Sequence, residues 1–184
     1  MKAVFLDRDG TINVERENYV LRIEELEIME PAFGAIRLFN QHQLKSIVIT
    51  NQSCIGRGLL SEEALGTIHA HFLKLLAHQN AHIDSIYYCP HHPLDLCACR
   101  KPNIGMLERA AKEQGVHLAG SYMIGDRDFD ILAGKNAGCT TILVLTGAGK
   151  LSLERLQALS IQPDWIFENI LEAAHWITKQ PLAP

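Results

Sequence analysis

Short apolar runs alternate with longer amphipathic stretches along the whole chain. The runs predict buried β-strands at 4–6, 46–49, 85–88, 122–124, 141–144 and, more weakly, 164–167. Between them, apolar positions at helical spacing predict helices at 32–42, 61–79, 103–114, 128–137 and 168–179. Pro31 and Ser61 are residue types that begin helices, and Gly115 is one that ends them.

This alternation predicts an α/β fold: a doubly wound, Rossmann-like, mostly parallel sheet with helices on both faces. Such sheets bind ligands at the carboxyl ends of the strands, so site residues are expected directly after strands. A chain of 184 residues is long enough for one domain, 1–184, with a well-formed core. Its last residues, 180–184, are expected to form a frayed tail.

The composition narrows the choice of partners and compartment. The formal charge is −4, whereas nucleic-acid binders concentrate Lys and Arg in a patch, so no nucleic-acid partner is expected. The apolar run at 1–6 is too short for a signal peptide, and no later run approaches the roughly 18 apolar residues of a membrane span. The five cysteines suit a reducing compartment. We therefore expect a soluble, cytoplasmic protein without a membrane partner, and we take it to be a monomer.

Two carboxylates follow the first predicted strand. Asp7 and Asp9 leave the strand end at alternate positions, and Gly10 permits the sharp turn that brings them together. Two like charges so close need a cation or a shared proton. Taken alone, the pair is more typical of a solvated acidic turn.

The next signals also come after strands or before a helix. Thr50, Asn51, Gln52 and Ser53 follow the second strand and offer hydroxyl, amide and backbone donors to a phosphoryl oxygen. Lys101 precedes the helix predicted near position 103, where its charge is unfavourable against the helix dipole unless an anion lies nearby.

A second acidic cluster follows the strand that ends at position 124. Asp126 lies where it could join Asp7 and one backbone carbonyl around a magnesium ion, which prefers oxygen ligands and keeps several waters. Asp130, one helical turn further on, is expected to orient its neighbours rather than to bind the ion.

In this order, the elements Asp-x-Asp-Gly-Thr, Thr, Lys and Gly-Asp-x-x-x-Asp resemble the four-motif signature of the haloacid dehalogenase phosphatases, across residues 4–130. The resemblance implies a magnesium-dependent hydrolysis of a phosphate monoester. Asp7 would be the nucleophile that forms an aspartyl-phosphate, and Asp9 the acid and base, which requires a raised pKa. Thr50 and Lys101 would hold the phosphoryl oxygens. Magnesium would be held by Asp7, Asp9 and Asp126.

A cysteine cluster interrupts the polar stretch before Lys101. Cys89, His91, Cys97 and Cys99 could form a closed tetrahedral zinc site within the loop 89–99, as structural zinc sites do, although reduced surface thiols are the alternative. His92 could replace His91 as the fourth ligand. Zinc here would fix the segment that delivers Lys101.

The same cysteine pattern occurs in the branch of the family that contains heptose-bisphosphate phosphatases and histidinol-phosphate phosphatases. The stretches 7–13, 51–58 and 86–93 favour the heptose enzymes, which implies removal of the 7-phosphate of a heptose bisphosphate. The five-residue gap between His91 and Cys97 is closer to the histidinol-phosphate enzymes, which therefore remain an alternative, as do phosphatases of other small sugar phosphates.

The spacing between the motifs leaves no room for a cap domain, so the resemblance implies an open site. Candidates for contact with a phosphorylated sugar are the segment 15–19 and the residues Tyr19, Asn51, Gln52, Ser53, Arg57, Arg100 and Arg127. Arg100 is the first choice for a second, non-transferred phosphate, because a guanidinium fork suits that group.

A receiver domain of a signalling relay is a non-enzymatic alternative, since it also clusters acids, a Thr and a Lys around a phosphorylated Asp. Its Asp lies on a central strand, whereas here Asp-x-Asp-Gly-Thr follows the first strand of the chain.

Overall fold

The computed structural model describes residues 1–180. Its single sheet contains six strands, which are β1 Ala3–Leu6, β2 Lys45–Asn51, β3 Ser85–Cys89, β4 Tyr122–Gly125, β5 Thr140–Val144 and β6 Trp165–Phe167. The strand order is β3-β2-β1-β4-β5-β6, and every neighbouring pair is parallel. The predicted doubly wound α/β fold is therefore confirmed, with a sheet that is parallel throughout.

In the described part of the chain, six α-helices connect or flank the strands, and they are α1 Glu30–Gln41, α2 Glu62–His78, α3 Gly105–Gln114, α4 Asp128–Asn136, α5 Gly149–Ala158 and α6 Ile170–Ile177. Short 3-10 turns lie at Ile23–Glu25 and Pro93–Asp95. The predicted end signals act as expected at two helices. The Ser61 hydroxyl accepts a hydrogen bond from the Ala64 backbone at the start of α2, and Gly115 ends α3 with a φ of 63°.

Helix α5 was missed from the sequence. Of its leucines, Leu156 is buried while Leu151 is about half exposed, so its apolar residues do not mark one clear face. The helix rests on the outer part of the sheet, where Leu156 packs with Ile131 and Leu143. A pattern of mixed burial does not produce the helical periodicity on which the prediction depended.

The two faces of the sheet carry separate apolar layers. Along β1, Val4 and Leu6 belong to one layer, whereas Ala3 and Phe5 belong to the other, because successive strand side chains point to opposite faces. Helices α1, α2 and α6 cover the first face, and α3 and α4 cover the second. Burial on both faces explains why the strands appear as unbroken apolar runs.

Among residues 1–180, no helix combines the length and the apolar character that crossing a bilayer requires. At the end of this range, Gln180 donates hydrogen bonds to the backbone carbonyls of Ile177 and Trp176, so it continues the last helix turn. Residues 181–184, the rest of the predicted frayed tail, lie outside the described part of the chain.

Candidate active site

The carboxyl ends of β1, β2 and β4 meet at one edge of the sheet, as the sequence predicted. Asp7 directly follows β1, Thr50 is the penultimate residue of β2, and Asp126 directly follows β4. A cavity of about 300 Å³ opens there, and its lining residues are Asp7, Asp9, Glu15, Arg16, Glu17, Tyr19, Thr50, Asn51, Ser53, Arg100, Arg127 and Phe129. Within residues 1–180 no separate cap covers this cavity, and the loop between β1 and α1 contributes Glu15, Arg16, Glu17 and Tyr19 to its wall.

Three buried carboxylates form the floor of the site. One oxygen each of Asp7, Asp126 and Asp130 lies within 4.8 Å of the other two. With all three carboxylates ionised, as a bound cation would favour, their charges and the single positive charge of Lys101 would leave a net charge of −2. Burial, together with the charges of Asp7 and Asp130, raises the pKa of Asp126 to about 8. The donor set and the uncompensated charge fit a divalent cation that prefers oxygen ligands.

Lys101 is the only ammonium group in this cluster among the described residues. Its Nζ lies 2.7 Å from Oδ1 of Asp7 and 2.6 Å from Oδ1 of Asp130, and it donates to the carbonyl of Ile49 at 2.7 Å. Burial disfavours the charged ammonium, but Asp130 and Asp7 outweigh burial and raise the pKa of Lys101. The Asn51 amide exchanges two hydrogen bonds with the Lys101 backbone, at 3.1 and 3.2 Å, and so fixes the approach of this side chain.

Asp126 is held from two further segments. The Thr11 hydroxyl donates to its Oδ1 at 3.3 Å, and the backbone N–H of Ala148 donates to its Oδ2 at 2.8 Å. Thr146, two residues before Ala148, donates a hydrogen bond from its hydroxyl to the carbonyl of Gly10 at 2.7 Å. Gly10 has a φ of 85°, and any side chain there would overlap the Asp126 carboxylate. The loop 145–148 was not predicted to belong to the site, although it directly follows a predicted strand, where ligand-binding residues of such sheets are expected.

The carboxylate of Asp9 lies outside the cluster of Asp7, Asp126 and Asp130, so the group of Asp9 that is left to hold magnesium is its backbone carbonyl. The Arg8 guanidinium donates three hydrogen bonds of 2.8 to 3.2 Å to this carboxylate. The side-chain amides of Asn13 and Gln52 each donate one more at 2.9 Å. Burial alone would raise the pKa of Asp9, but Arg8 and these amides outweigh it and lower the pKa. The expectation of a raised pKa is therefore wrong for this arrangement, because the sequence did not reveal the pairing with Arg8.

Arg8 also contacts His69 of helix α2. Nη1 of Arg8 lies 3.2 Å from Nε2 of His69, and the imidazole packs edge-on against Tyr88 with ring centroids 5.8 Å apart. Burial and the Arg8 charge lower the pKa of His69 to about 4. The imidazole is therefore neutral near pH 7.

The lowered pKa of His69 predicts a specific loss of stability in acid. The unfolded chain binds a proton at this side chain below pH 6.5, whereas the folded protein does so only near pH 4, so this contribution is present above pH 6.5 and is lost as the pH falls. Between pH 7 and pH 4 the wild type should lose about 3 kcal/mol more unfolding free energy than His69→Gln. Urea unfolding of both proteins across this range measures the difference, and parallel curves would contradict the prediction.

The predicted zinc ligands converge on one point. Sulfur atoms of Cys89, Cys97 and Cys99 lie 3.3 to 3.5 Å apart, and Nδ1 of His91 is 3.1 Å from the Cys99 sulfur. Two thiolates on one tetrahedral zinc ion are separated by about 3.8 Å, so the four side chains fit a shared ion. The alternative ligand, His92, instead accepts a hydrogen bond from the backbone of Leu94 within its own turn.

Comparisons with known proteins agree with this geometry. The HAD-hydrolase-like family model matches residues 98–173. The D-glycero-beta-D-manno-heptose-1,7-bisphosphate 7-phosphatase of Salmonella typhi is 37% identical, over 97% of this chain and 96% of that protein. The chain belongs to the haloacid dehalogenase-like phosphatases. The enzyme of the same name from Neisseria meningitidis serogroup B is 32% identical over the full length of this phosphatase.

A solved structure extends the comparison to the fold. The D,D-heptose 1,7-bisphosphate phosphatase of Bordetella bronchiseptica, complexed with magnesium and phosphate, superimposes with a TM-score of 0.91. It is 33% identical and covers 98% of this phosphatase and 100% of its own chain. The counterpart from Burkholderia thailandensis gives a TM-score of 0.74 at 26% identity.

The predicted substrate contacts of this phosphatase divide into two groups. Tyr19, Ser53 and Arg100 line the cavity, and the Tyr19 hydroxyl lies 3.2 Å from that of Ser53. Gln52 is fully buried and donates both to Asp9 and to Thr50, and Arg57 is exposed outside the cavity lining. Neither of these two residues lines the cavity.

Two further predicted contacts of the phosphatase line the cavity but have protein partners. The side-chain amide of Asn51 forms hydrogen bonds with the Lys101 backbone, and the Arg127 guanidinium forms an ion pair with Glu15. Arg100 differs from them, because its Nη1 is buried without a hydrogen-bond partner in the described part of the chain. Arg100 therefore has a buried donor left for a ligand at this cavity.

The position of the acidic strand in the chain does not separate this phosphatase from a receiver domain, contrary to the prediction. The first strand of the chain lies in the interior of the sheet, between β2 and β4. A central position of the acidic strand therefore does not distinguish the two protein classes, whereas the relatives of near-equal length do.

Proposed function

We propose that this phosphatase removes the 7-phosphate of D-glycero-D-manno-heptose 1,7-bisphosphate through an aspartyl-phosphate at Asp7. The observation that carries the proposal is the contact of a buried Asp7 with Lys101 on a floor of three carboxylates. The relatives that match almost the whole chain bear the name of this activity, and the Bordetella bronchiseptica structure contains magnesium and phosphate. The phosphorylated sugar would be the small-molecule partner of this chain.

In the proposed mechanism, an oxygen of Asp7 attacks phosphorus while the bond between phosphorus and the sugar oxygen breaks. Lys101 holds Oδ1 of Asp7, which leaves Oδ2 to attack. Thr50 and Lys101 would stabilise the phosphoryl oxygens, on which charge accumulates. Asp9 would protonate the departing sugar oxygen and then take a proton from the water that hydrolyses the aspartyl-phosphate.

The protonation of Asp9 has to be coupled to substrate binding. Arg8 keeps this carboxylate ionised in the unliganded protein. A phosphate group in the cavity adds negative charge close to Asp9, and such a charge raises the pKa of a carboxylate. We therefore propose that Asp9 takes up its proton after the substrate has entered.

The residues that would hold magnesium are Asp7, Asp126 and the backbone carbonyl of Asp9. That carbonyl accepts no hydrogen bond from the part of the chain that the structure describes. Asp130 would act on Lys101, 2.6 Å away, rather than on the ion. When bound, magnesium neutralises charge on the carboxylates and the transferring phosphoryl group.

A substrate panel tests the proposed specificity. We would compare heptose 1,7-bisphosphate, fructose 1,6-bisphosphate and histidinol phosphate by kcat/KM with magnesium present. The proposal expects the heptose compound to be preferred by on the order of 10²-fold or more, as expected when a site pairs with groups that competing substrates lack. A higher kcat/KM for histidinol phosphate would show that the proposed substrate is wrong, whereas the proposed mechanism would stand.

Arg100 is proposed to bind the phosphate that is not transferred. Arg100→Ala should lower kcat/KM for the bisphosphate by about 10-fold or more, since the loss of a charge-assisted hydrogen bond costs roughly 1.5–3 kcal/mol. The effect on a heptose 7-monophosphate should stay within about 2-fold, because that substrate offers no second phosphate to Arg100. Equal losses on both substrates would assign Arg100 to the transferred group instead.

We also propose that zinc occupies the cluster of Cys89, His91, Cys97 and Cys99. Elemental analysis should then find about one zinc per chain, as expected for a closed four-ligand site. Cys99→Ser should lose the metal and weaken activity through Lys101, which lies two residues further along the chain. Cys139→Ser, a buried thiol outside the cluster, should keep the zinc. A zinc-free wild type with full activity would contradict the assignment.

A cytoplasmic location, a monomeric state and a single domain over 1–184 complete the proposal. The location is supported by five free thiols, three of them in one cluster. Size-exclusion chromatography with light scattering tests the monomer.

A further inference from the structure

The buried guanidinium of Arg8 connects the proposed acid and base to helix α2. Arg8 is fully buried and directs Nε and Nη2 to the Asp9 carboxylate, while Nη1 points away from it to Nε2 of His69. The mechanism above gives His69 no role, although this imidazole is 61 residues away in sequence and meets Arg8 inside the protein.

The roles of the two partners follow from their chemistry. A guanidinium has five N–H donors and no acceptor, so His69 has to accept through Nε2. An imidazole that accepts at Nε2 is neutral and carries its proton on Nδ1. Burial of His69 beside a permanent positive charge favours the same neutral form. His69 is thus a fixed acceptor for Arg8.

The contact fixes the plane of the guanidinium. The guanidinium is planar, so a hydrogen bond at Nη1 restricts the direction of the Nε and Nη2 donors that grip Asp9. His69 is itself held on a helix of 17 residues and against the Tyr88 ring. The orientation of the Asp9 carboxylate is therefore connected to a rigid element outside the cavity.

We infer that His69 is a positioning residue for Asp9, acting through Arg8. The inference depends on the proposed function, in which Asp9 protonates the leaving oxygen. Loss of the acceptor would leave a buried donor on Arg8 unpaired and allow the guanidinium to rotate. Because a misplaced acid slows only a reaction that needs it, the defect should depend on the leaving group.

The test compares two phosphate monoesters, the heptose bisphosphate and p-nitrophenyl phosphate, whose leaving group departs without a proton. His69→Leu removes the acceptor at similar volume and should lower kcat/KM for the sugar phosphate by about 10- to 100-fold. Its kcat/KM for p-nitrophenyl phosphate should change by less than about 3-fold. His69→Gln, whose amide oxygen can replace Nε2, should restore most of the activity on the sugar phosphate.

Controls separate positioning from general loss of structure. Phe72→Leu alters a fully buried residue one turn further along α2 that belongs to the apolar core, and it should leave the ratio of the two kcat/KM values unchanged. Melting temperatures of all variants establish that the assays use folded protein. If His69→Leu does not fold, His69→Asn takes its place, because it stays polar but is too short to reach Arg8, and the same loss is expected.

Asp9→Asn distinguishes a failure of this inference from a failure of the proposed mechanism. If Asp9→Asn shows the selective loss on the sugar phosphate and the His69 variants do not, the positioning role is wrong and the mechanism stands. If Asp9→Asn lowers kcat/KM for both substrates by the same factor, Asp9 is not the acid, and both proposals fail. If His69→Leu lowers kcat/KM for both substrates by the same factor while Asp9→Asn remains selective, His69 has only a structural role.

Discussion

Replacing Asp7 by Asn is expected to lower kcat by on the order of 10⁴-fold or more, since an amide cannot serve as the nucleophile. Asn has nearly the shape of Asp and keeps a carbonyl oxygen for the hydrogen bond from Lys101. The fold should therefore survive the change. Phosphate release measures the rate, and mass spectrometry after rapid quenching detects the phosphorylated chain, which should be present in the wild type and absent in Asp7→Asn.

Asp128→Asn provides a matched control. It removes the same charge from a partly exposed position at the start of α4, outside the cavity lining, and should keep kcat within about 2-fold of the wild type, as is usual for surface changes. Turnover by Asp7→Asn at a tenth of the wild-type rate or more would exclude the aspartyl-phosphate mechanism.

Replacing Lys101 by Met is expected to reduce both activity and stability. The ammonium pairs with two buried carboxylates, and removing it leaves Asp7 and Asp130 close together without a counter-charge. Breaking a buried ion pair from one side costs about 3–5 kcal/mol. The loss of phosphoryl stabilisation should lower kcat by about 10²- to 10³-fold.

The stability effect of Lys101→Met should depend on pH. Burial raises the pKa of Asp130 to about 7 even beside Lys101, so acid protonates this carboxylate and relieves the repulsion. The destabilisation should grow as the pH rises from 5 to 8 in the absence of metal. Urea unfolding with a chelator measures it, and Lys150→Met, at an exposed site on α5, should show no such trend. A pH-independent loss would mean that Lys101 acts mainly through packing.

The central residues of the site could be predicted because they depend on topology alone. Asp7, Thr50 and Asp126 come at or directly after the ends of strands that are neighbours in a parallel sheet, so any fold with that sheet brings them together. The cluster of three cysteines and one histidine could be predicted for a similar reason, since its four residues lie between positions 89 and 99 of the chain. Local order along the chain is sufficient for both clusters.

The partners of individual polar side chains could not be predicted in the same way. No pattern in the sequence indicated that the Asp9 carboxylate pairs with Arg8, whose Nη1 in turn contacts His69 of a distant helix. Gln52 was expected at the substrate but turns inward to Asp9. A side chain can take several rotamers from one backbone position, and long-range neighbours decide which of them is occupied.

The sequence by itself determined the parallel α/β fold, the strand ends that carry the acids and the segment before α3 that carries Lys101, because apolar periodicity and strand order act through the backbone. Only the tertiary structure decided which of those side chains face the cavity and which hold one another. It placed Ala148 beneath Asp126 and His69 behind Arg8, across 22 and 61 residues of chain. Such contacts join segments that are distant in the chain, so no pattern of neighbouring residues encodes them.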